Sequence, residues 1–173
     1  MKGRRKMTEV LFAKYKEKAI IPSKIAENAG FDIYACIDKP ICIEPHQTVM
    51  IPTGIASACS SDYCFILKER GSTGTKGIGQ RCGVIDSGYR GEWFVPITNH
   101  TEHYLVLYNP DEVNEETIQF AKDCEIILYP TSKAITQALV VPVPRVFTRE
   151  VSLDELNSIS SERGTGVLGS SGK

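Results

Sequence analysis

The chain has 173 residues, 42% of them hydrophobic, and a formal net charge of −1 at pH 7. This length is typical of one domain, and the near-neutral charge argues against a nucleic-acid-binding protein. No apolar run approaches the roughly 20 residues of a membrane-spanning helix, and no export signal is evident, so we expect a soluble, cytoplasmic protein without membrane contact.

Short apolar runs recur along the chain, and many are separated by Gly, Pro, Asn, Asp or Ser. They are Val10–Phe12, Phe31–Ile33, Ile41–Ile43, Val49–Ile51, Tyr63–Leu67, Trp93–Ile97, Tyr104–Tyr108, Ile126–Tyr129, Ala138–Val143 and Val146–Phe147. This spacing predicts an all-β barrel or sandwich. Several of the nine prolines flank these runs, which favours an open or Greek-key β fold over helices.

Two stretches depart from the β pattern. Asn109 followed by Pro110 and two acidic residues has the form of a helix N-terminus. Apolar residues then follow at helical spacing, which predicts an amphipathic helix over Pro110–Asp123. Ser152 followed three residues later by Glu155 has capping-box form and predicts a brief helical turn near 153–158.

The stretch GVIDSGYRGEWFVPITN, from Gly83 to Asn99, reads locally as a β-hairpin that turns at Ser87-Gly88. On that interpretation Asp86 is a turn residue and Tyr89 is a packing residue. The Gly- and Ser/Thr-rich stretch ERGSTGTKG, from Glu69 to Gly77, has backbone N–H groups that could hold phosphate. The cysteines include no C-x-x-C pair and the histidines no H-E-x-x-H spacing, so no zinc motif is predicted.

Five stretches in order resemble the five motifs of the trimeric dUTPases, which convert dUTP to dUMP and pyrophosphate. The stretches are AGFDIYA (29–35), ERGSTG (69–74), GVIDSGYRGE (83–92), AITQALV (134–140) and RGTGVLGSSG (163–172). The resemblance runs from about residue 9 to the end. It implies a jelly-roll-like β-barrel, a homotrimer with sites at subunit interfaces, and Mg²⁺ as cofactor.

The resemblance also implies a role for each matched residue. Asp86 would orient and activate the attacking water, and Tyr89 would pack under the sugar and leave no room for a 2′-hydroxyl. Asp32 would lie near the water shell of the metal. The implied substrate-binding residues are Arg70, Gly71, Ser72, Gln80, Gly83, Val84, Ile85, Tyr89, Gln137, Arg163, Leu168, Gly169, Ser170 and Ser171.

Three positions depart from the family pattern. The second motif has Arg70-Gly71-Ser72 where the family usually has Arg-Ser-Gly, and the fourth has Lys133-Ala134 in place of Asp-Arg. In the fifth, Leu168 replaces the aromatic residue that stacks on uracil, which removes roughly 1 kcal/mol of stacking. We therefore expect a working enzyme with weaker substrate affinity.

The interval from Asn99 to Ser132 is long for the link between the third and fourth motifs. Some phage dUTPases carry an insertion here, and repressors have been linked to that subgroup. We expect the insertion, about 100–131, to be a helix that decorates a single β-barrel domain spanning 1–160, with 161–173 as a mobile arm that closes over the nucleotide.

Two alternative functions stay open at this point. One is a dCTP deaminase of the same fold, whose chemistry depends on a glutamate base in the hairpin region, where Glu92 is the only glutamate. The other is a regulatory protein that uses the nucleotide pocket as a switch and docks a repressor-type partner through the 100–131 insertion.

Overall fold

The computed structural model describes residues 8–81, 83–162 and 164, and these residues form twelve β-strands and three short α-helices. The strands are β1 (Val10–Lys14), β2 (Gly30–Tyr34), β3 (Ile41–Ile43), β4 (Thr48–Pro52), β5 (Ile55–Cys59), β6 (Tyr63–Lys68), β7 (Ile78–Gln80), β8 (Val84–Ile85), β9 (Phe94–Asn99), β10 (Leu105–Tyr108), β11 (Ile127–Pro130) and β12 (Ala134–Pro142). The helices are α1 (Gly71–Gly74), α2 (Glu115–Asp123) and α3 (Leu153–Ser158). The predicted all-β class is therefore confirmed.

The strands form four small sheets. Their orders are β1-β5, β11-β10-β3, β2-β12-β6-β8 and β4-β9-β7. Most pairs are antiparallel, and the long strand β12 pairs with β2 along one edge and with β6 along the other. The four-stranded sheet therefore brings the first, second, third and fourth motif regions together.

The core is built around an aromatic cluster. Trp93 and Phe65 are fully buried, and their ring centroids lie 5.0 Å apart in an edge-to-face arrangement. Phe12 from β1 contacts both rings, at 5.6 Å from Phe65 and 5.8 Å from Trp93. Truncation of such a buried ring to alanine costs about 3–5 kcal/mol, so this cluster holds the β1-β5 ribbon against the larger sheets.

The predicted hairpin over 83–99 is wrong in its pairing, although its turn is present. Tyr89 N–H donates to the carbonyl of Asp86 at 3.1 Å, which closes a turn over Ser87-Gly88. However, β8 pairs with β6, while β9 pairs with β4 and β7. The chain therefore turns at Ser87-Gly88 and crosses from one sheet to another.

The predicted helix over Pro110–Asp123 begins later than expected. Asn109 accepts from the N–H of Asp111 and caps a single 3₁₀ turn, Pro110–Glu112. Val113 is extended, and Asn114 then caps α2 by accepting from the N–H of Thr117 at 2.9 Å. Two asparagine caps five residues apart thus divide the segment.

Helix α2 is the crossover of a parallel strand pair. β10 and β11 run parallel, with Leu105 opposite Ile127. Parallel neighbours need a connection that returns along their full length, so a tight turn cannot join them. The segment that contains α2 therefore supplies the connection that the parallel β10–β11 pair needs.

The chain forms two compact units, Met1–Val143 and Pro144–Lys173. In the second, the predicted helical turn is confirmed as α3, with Ser152 Oγ accepting from the N–H of Glu155 at 3.1 Å. The strand predicted at Val146–Phe147 is absent from the described residues. The N–H of Val143 still donates to the carbonyl of Asp62 at 2.7 Å, and Pro144, which lacks an N–H donor, follows it.

None of the helices among the described residues is long and apolar enough to cross a membrane.

Candidate active site

A polar cleft of about 470 Å³ lies where three strands of the four-stranded sheet meet α1. In register, Asp32 on β2 stands opposite Gln137 on β12, which stands opposite Lys68 on β6. Directly opposed residues share one face of a sheet, so these side chains point the same way. The residues that line the cleft, here called the phosphate cleft, are Glu27, Asn28, Ala29, Gly30, Asp32, Arg70, Gly71, Ser72 and Gln137.

Arg70 is held in this cleft by two side-chain contacts and one backbone contact. Its Nε lies 3.1 Å from Oδ1 of Asp32, and its Nη2 lies 3.4 Å from Oδ2. Its Nη1 donates to the carbonyl of Ala134 at 3.2 Å. Both side chains are partly exposed, so the pair adds little stability. Its main effect is to fix the direction of the guanidinium group.

Tyr129 also hydrogen-bonds to the carbonyl of Ala134. Its hydroxyl donates to the carbonyl of Ala134 at 2.7 Å, and burial raises the pKa of Tyr129. Because the phenol stays protonated, it remains a donor. The carbonyl of Ala134 thus joins the end of β11 to the phosphate cleft through Arg70.

The glycine-rich stretch after β6 forms a single helical turn rather than an open loop. Arg70 is extended, and the hydroxyl of Thr73 donates to its carbonyl at 2.9 Å. Gln137 Nε2 donates to the carbonyl of Glu69 at 2.9 Å, which fixes the amide beside the turn. A methyl group at Gly30 would stand 2.8 Å from Oε1 and 3.2 Å from Cβ of Gln137, so a side chain there would displace the amide.

A second cleft, of about 250 Å³, lies beside β8 and contains the third motif. The residues that line this nucleoside cleft are Met50, Val84, Ile85, Asp86, Tyr89, Glu92 and Phe94. Asp86 follows β8 directly and begins the turn that ends at Tyr89. The turn brings an exposed carboxylate and an aromatic ring to the same cleft.

The position of the Tyr89 ring depends on the glycine two residues later. The hydroxyl of Tyr89 donates to the carbonyl of Glu92 at 3.0 Å, so the ring folds back over Gly91. A methyl group at Gly91 would stand 2.6 Å from Cζ of the ring. No side chain fits there without moving the ring.

Two predicted site residues line neither cleft. Gln80 lies on β7, and its N–H donates to Oε1 of Glu69 at 3.0 Å. Gly83 precedes β8, and its carbonyl accepts from the N–H of Leu67 at 2.7 Å. Five further predicted residues lie outside the described part of the chain: Arg163, Leu168, Gly169, Ser170 and Ser171.

Several lining residues were not predicted from the sequence. Met50 on β4 and Phe94 on β9 reach the nucleoside cleft because these strands pair, with Pro52 opposite Phe94. No local pattern identifies Met50, since its position depends on a strand partner more than 40 residues away. Glu92, by contrast, lies within the third motif, so its position in the sequence could have identified it as a residue of the nucleoside cleft.

The two clefts lie far apart within one chain. Asp32 and Ile85 are on the outer strands of the sheet β2-β12-β6-β8, and Ile85 is level with Phe65, three residues along β6 from Lys68. With strands about 4.8 Å apart and about 3.3 Å per residue, their Cα atoms are separated by about 17 Å. The clefts share no lining residue.

Comparisons with known proteins point to one family. The dUTPase family model matches residues 16–113. The chain is 35% identical over 148 residues to the deoxyuridine 5′-triphosphate nucleotidohydrolase of Gloeobacter violaceus, covering 84% of this chain and 83% of the relative.

Two solved phage enzymes share the fold. A variant dUTPase of Staphylococcus bacteriophage 80alpha, solved with dUpNHpp, aligns with a TM-score of 0.71 at 22% identity, covering 95% of this chain and 99% of that one. A variant dUTPase of Staphylococcus aureus phage phi11, described with a structural Mg(II) ion, aligns with a TM-score of 0.62 at 18% identity, covering 83% and 96%. These likenesses confirm the jelly-roll-like fold. Together with the family match and the sequence relatives, they show that the chain belongs to the dUTPase family.

Proposed function

We propose that this protein hydrolyses dUTP to dUMP and pyrophosphate. The observation that carries the proposal is the nucleoside cleft, in which the Asp86 carboxylate and the Tyr89 ring lie together. Attack on the α-phosphorus needs one oriented water and a base beside it. Asp86 supplies the base, and Tyr89 fills the space that a ribose 2′-hydroxyl would occupy.

The remaining predicted residues are proposed to bind the uracil and the phosphates of dUTP. Val84 and Ile85 line the nucleoside cleft, and with Gly83 and Gln80 they are proposed to read the uracil edge. Arg70, Gly71, Ser72 and Gln137 line the phosphate cleft. A fork of guanidinium donors, an amide and a hydroxyl suit phosphate oxygens, and the guanidinium charge would offset the charge that develops on the leaving pyrophosphate.

The arm 161–173 is proposed to close over the bound nucleotide and exclude water. Arg163 and the Gly169–Ser171 amides would bind phosphates, and Leu168 would cover the base. The division into a barrel domain over 1–160 and this arm is part of the same proposal.

Mg²⁺ is the proposed cofactor, bound mainly through the substrate phosphates. No group of three carboxylate, imidazole or thiol ligands occurs among the described residues. Mg²⁺ commonly keeps several waters and takes one or two carboxylates besides phosphates. Asp32 in the phosphate cleft would meet that requirement by binding a water of the metal. Bound Mg²⁺ would neutralise triphosphate charge.

A homotrimer with shared sites is proposed because of the separation of the clefts. Asp86 acts at the α-phosphorus, and the γ-phosphorus of dUTP is only four covalent bonds further along. A separation of about 17 Å across the sheet leaves no single dUTP able to use both clefts of one chain. The nucleoside cleft of one subunit would therefore face the phosphate cleft of its neighbour.

A second, regulatory role has one supporting observation. Phe120 on α2 is 65% exposed, on a helix whose first turn is acidic. An exposed aromatic residue of this kind suits a protein partner, and a repressor-type partner at the 100–131 insertion would use it. A pull-down with a purified repressor-type protein, with and without dUMP, would test this role.

A cytoplasmic location, where free nucleotides are available, completes the proposal.

The test is pyrophosphate release from dUTP, dTTP, dCTP and UTP, with and without Mg²⁺. We expect Mg²⁺-dependent release that strongly prefers dUTP and no ammonia from dCTP; ammonia release would favour the deaminase alternative. Asp86→Asn should nearly abolish turnover and retain dUMP binding. Asp111→Asn, an exposed aspartate outside both clefts, is the matched control. Full activity of Asp86→Asn would refute the assignment.

A further inference from the structure

A closed ring of hydrogen bonds lies behind the nucleoside cleft. Tyr15, which follows β1, donates its N–H to the carbonyl of Gly54 at 2.7 Å. Gly54 donates its own N–H to Oε1 of Glu92 at 2.8 Å. The chain then runs back from Glu92 to Arg90, whose carbonyl accepts from the Tyr15 hydroxyl at 2.8 Å. Three chain segments that are distant in sequence are thus tied together.

Gly54 is the residue that anchors this ring of hydrogen bonds to the core. Its φ is +67°, a conformation that disfavours any residue with a side chain. A methyl group here would also stand 2.9 Å from Cβ of Ala19 and 2.9 Å from Sγ of Cys36. Cys36 is buried in the core. The ring is therefore anchored to the rigid part of the barrel.

The ring of hydrogen bonds encloses the residues that determine the position of the Tyr89 side chain. Gly91, over which the aromatic ring folds, lies between Arg90 and Glu92, and the carbonyl of Glu92 accepts from the Tyr89 hydroxyl. Nη1 of Arg90 also donates to the carbonyl of Ser87 at 2.6 Å, within the turn. Displacement of Arg90 or Glu92 would therefore move Tyr89.

We propose that Tyr15, Gly54 and Glu92 form a clamp that positions Tyr89, and that Tyr15 is a positioning residue for the rejection of ribonucleotides. Tyr15 lies outside all five motif stretches and outside the nucleoside cleft. The inference rests on the proposed role of Tyr89 as the gate against UTP. A gate that works by shape needs a fixed ring, because a displaced ring leaves room for a 2′-hydroxyl.

The test is the ratio of kcat/KM for dUTP to kcat/KM for UTP. This ratio is independent of the fraction of folded enzyme, so a merely structural effect does not change it. Tyr15→Phe removes only the hydroxyl, and we expect the ratio to fall about two- to tenfold, the usual effect of losing one hydrogen bond. Tyr104→Phe, an exposed tyrosine outside the cleft, should leave the ratio unchanged.

A second pair of variants tests the other side of the clamp. Glu92→Ala should lower the ratio at least as much as Tyr15→Phe. Glu92→Gln keeps an oxygen acceptor for Gly54 and should restore it. Slow UTP turnover is measured with enzyme in excess over UTP.

The outcomes separate the inference from the proposed function. A wild-type protein without dUTPase activity overturns both. A reduced ratio in Tyr89→Ala with wild-type ratios in Tyr15→Phe and Glu92→Ala overturns the clamp alone. An unchanged ratio in Tyr89→Ala overturns the gate and, with it, the clamp. Loss in Tyr15→Phe and Glu92→Ala with rescue in Glu92→Gln supports the clamp.

Discussion

Two inactive variants of this protein should restore activity when they are assembled together. One is Asp86→Asn, which loses the carboxylate in the nucleoside cleft, and the other is Arg70→Gln, which loses the guanidinium charge in the phosphate cleft. Each variant alone has one defect in every site. If a site combines the two clefts from different chains, a mixed trimer contains some sites with neither defect.

The size of the recovery follows from the geometry. The clefts of one chain share no lining residue. The strand spacing places the Cα atoms of Asp32 and Ile85, one from each cleft, about 17 Å apart. For random assembly of equal amounts, each cleft of a shared site is intact with a probability of one half. About a quarter of all sites should then be active in a cyclic trimer. At a three-to-one ratio the fraction should fall to about three sixteenths. If both clefts act within one chain, the expected activity is zero at every ratio.

The assay is co-refolding from denaturant followed by pyrophosphate release. Two affinity tags, one on each variant, allow mixed assemblies to be purified, and circular dichroism checks that Arg70→Gln folds. Variants mixed without denaturation are the control and should stay inactive. Verified mixed trimers with no more activity than their parents would refute the shared-site argument.

Three further perturbations test other parts of the structure. Gly91→Ala should displace the Tyr89 ring, which the added methyl would meet at 2.6 Å; a dUTP-to-UTP preference equal to the wild type would contradict the packing. Replacing residues 110–123 by a two-residue turn should lower activity and thermal stability, because the parallel β10–β11 pair loses its crossover, whereas Phe120→Ala should change neither. Cys36 is buried, and burial also raises the pKa of its thiol, so iodoacetamide should alkylate it more slowly than the exposed Cys42 and Cys124, as mapped by mass spectrometry; equally fast labelling would contradict its burial.

Much of the β framework could be predicted because strand signals are local. Apolar runs bounded by Gly, Pro, Asn, Asp and Ser located most of the strands to within a few residues. β5 escaped because its small residues, Ile-Ala-Ser-Ala-Cys, carry little strand propensity. Its burial is set by Phe12 and the aromatic cluster, to which it is tied through β1.

The errors in pairing have a common physical cause. Turn chemistry correctly indicated a turn at Ser87-Gly88, yet a turn does not decide which strand lies alongside. Val84 and Ile85 pair with Ile66 and Phe65 of β6, whereas β9 pairs with β4 and β7. Pairing of this kind depends on tertiary context that no short window of sequence contains.

The Asp32–Arg70 ion pair joins two residues that the sequence placed in separate motifs. The sequence suggested two independent contacts, an aspartate near the metal and an arginine on phosphate. The structure joins them at 3.1 Å, with the arginine also bound to the carbonyl of Ala134. Because the carboxylate already offsets one positive charge, the cleft without substrate is less electropositive than its arginine alone would make it. On the proposed function, a triphosphate with Mg²⁺ would bring both signs of charge, so each partner of the pair would gain a new counter-ion. The arginine would not need to move far, since its contact with the carbonyl of Ala134 holds the guanidinium in the cleft. We therefore expect the phosphate cleft to bind the triphosphate together with its metal more tightly than either component alone.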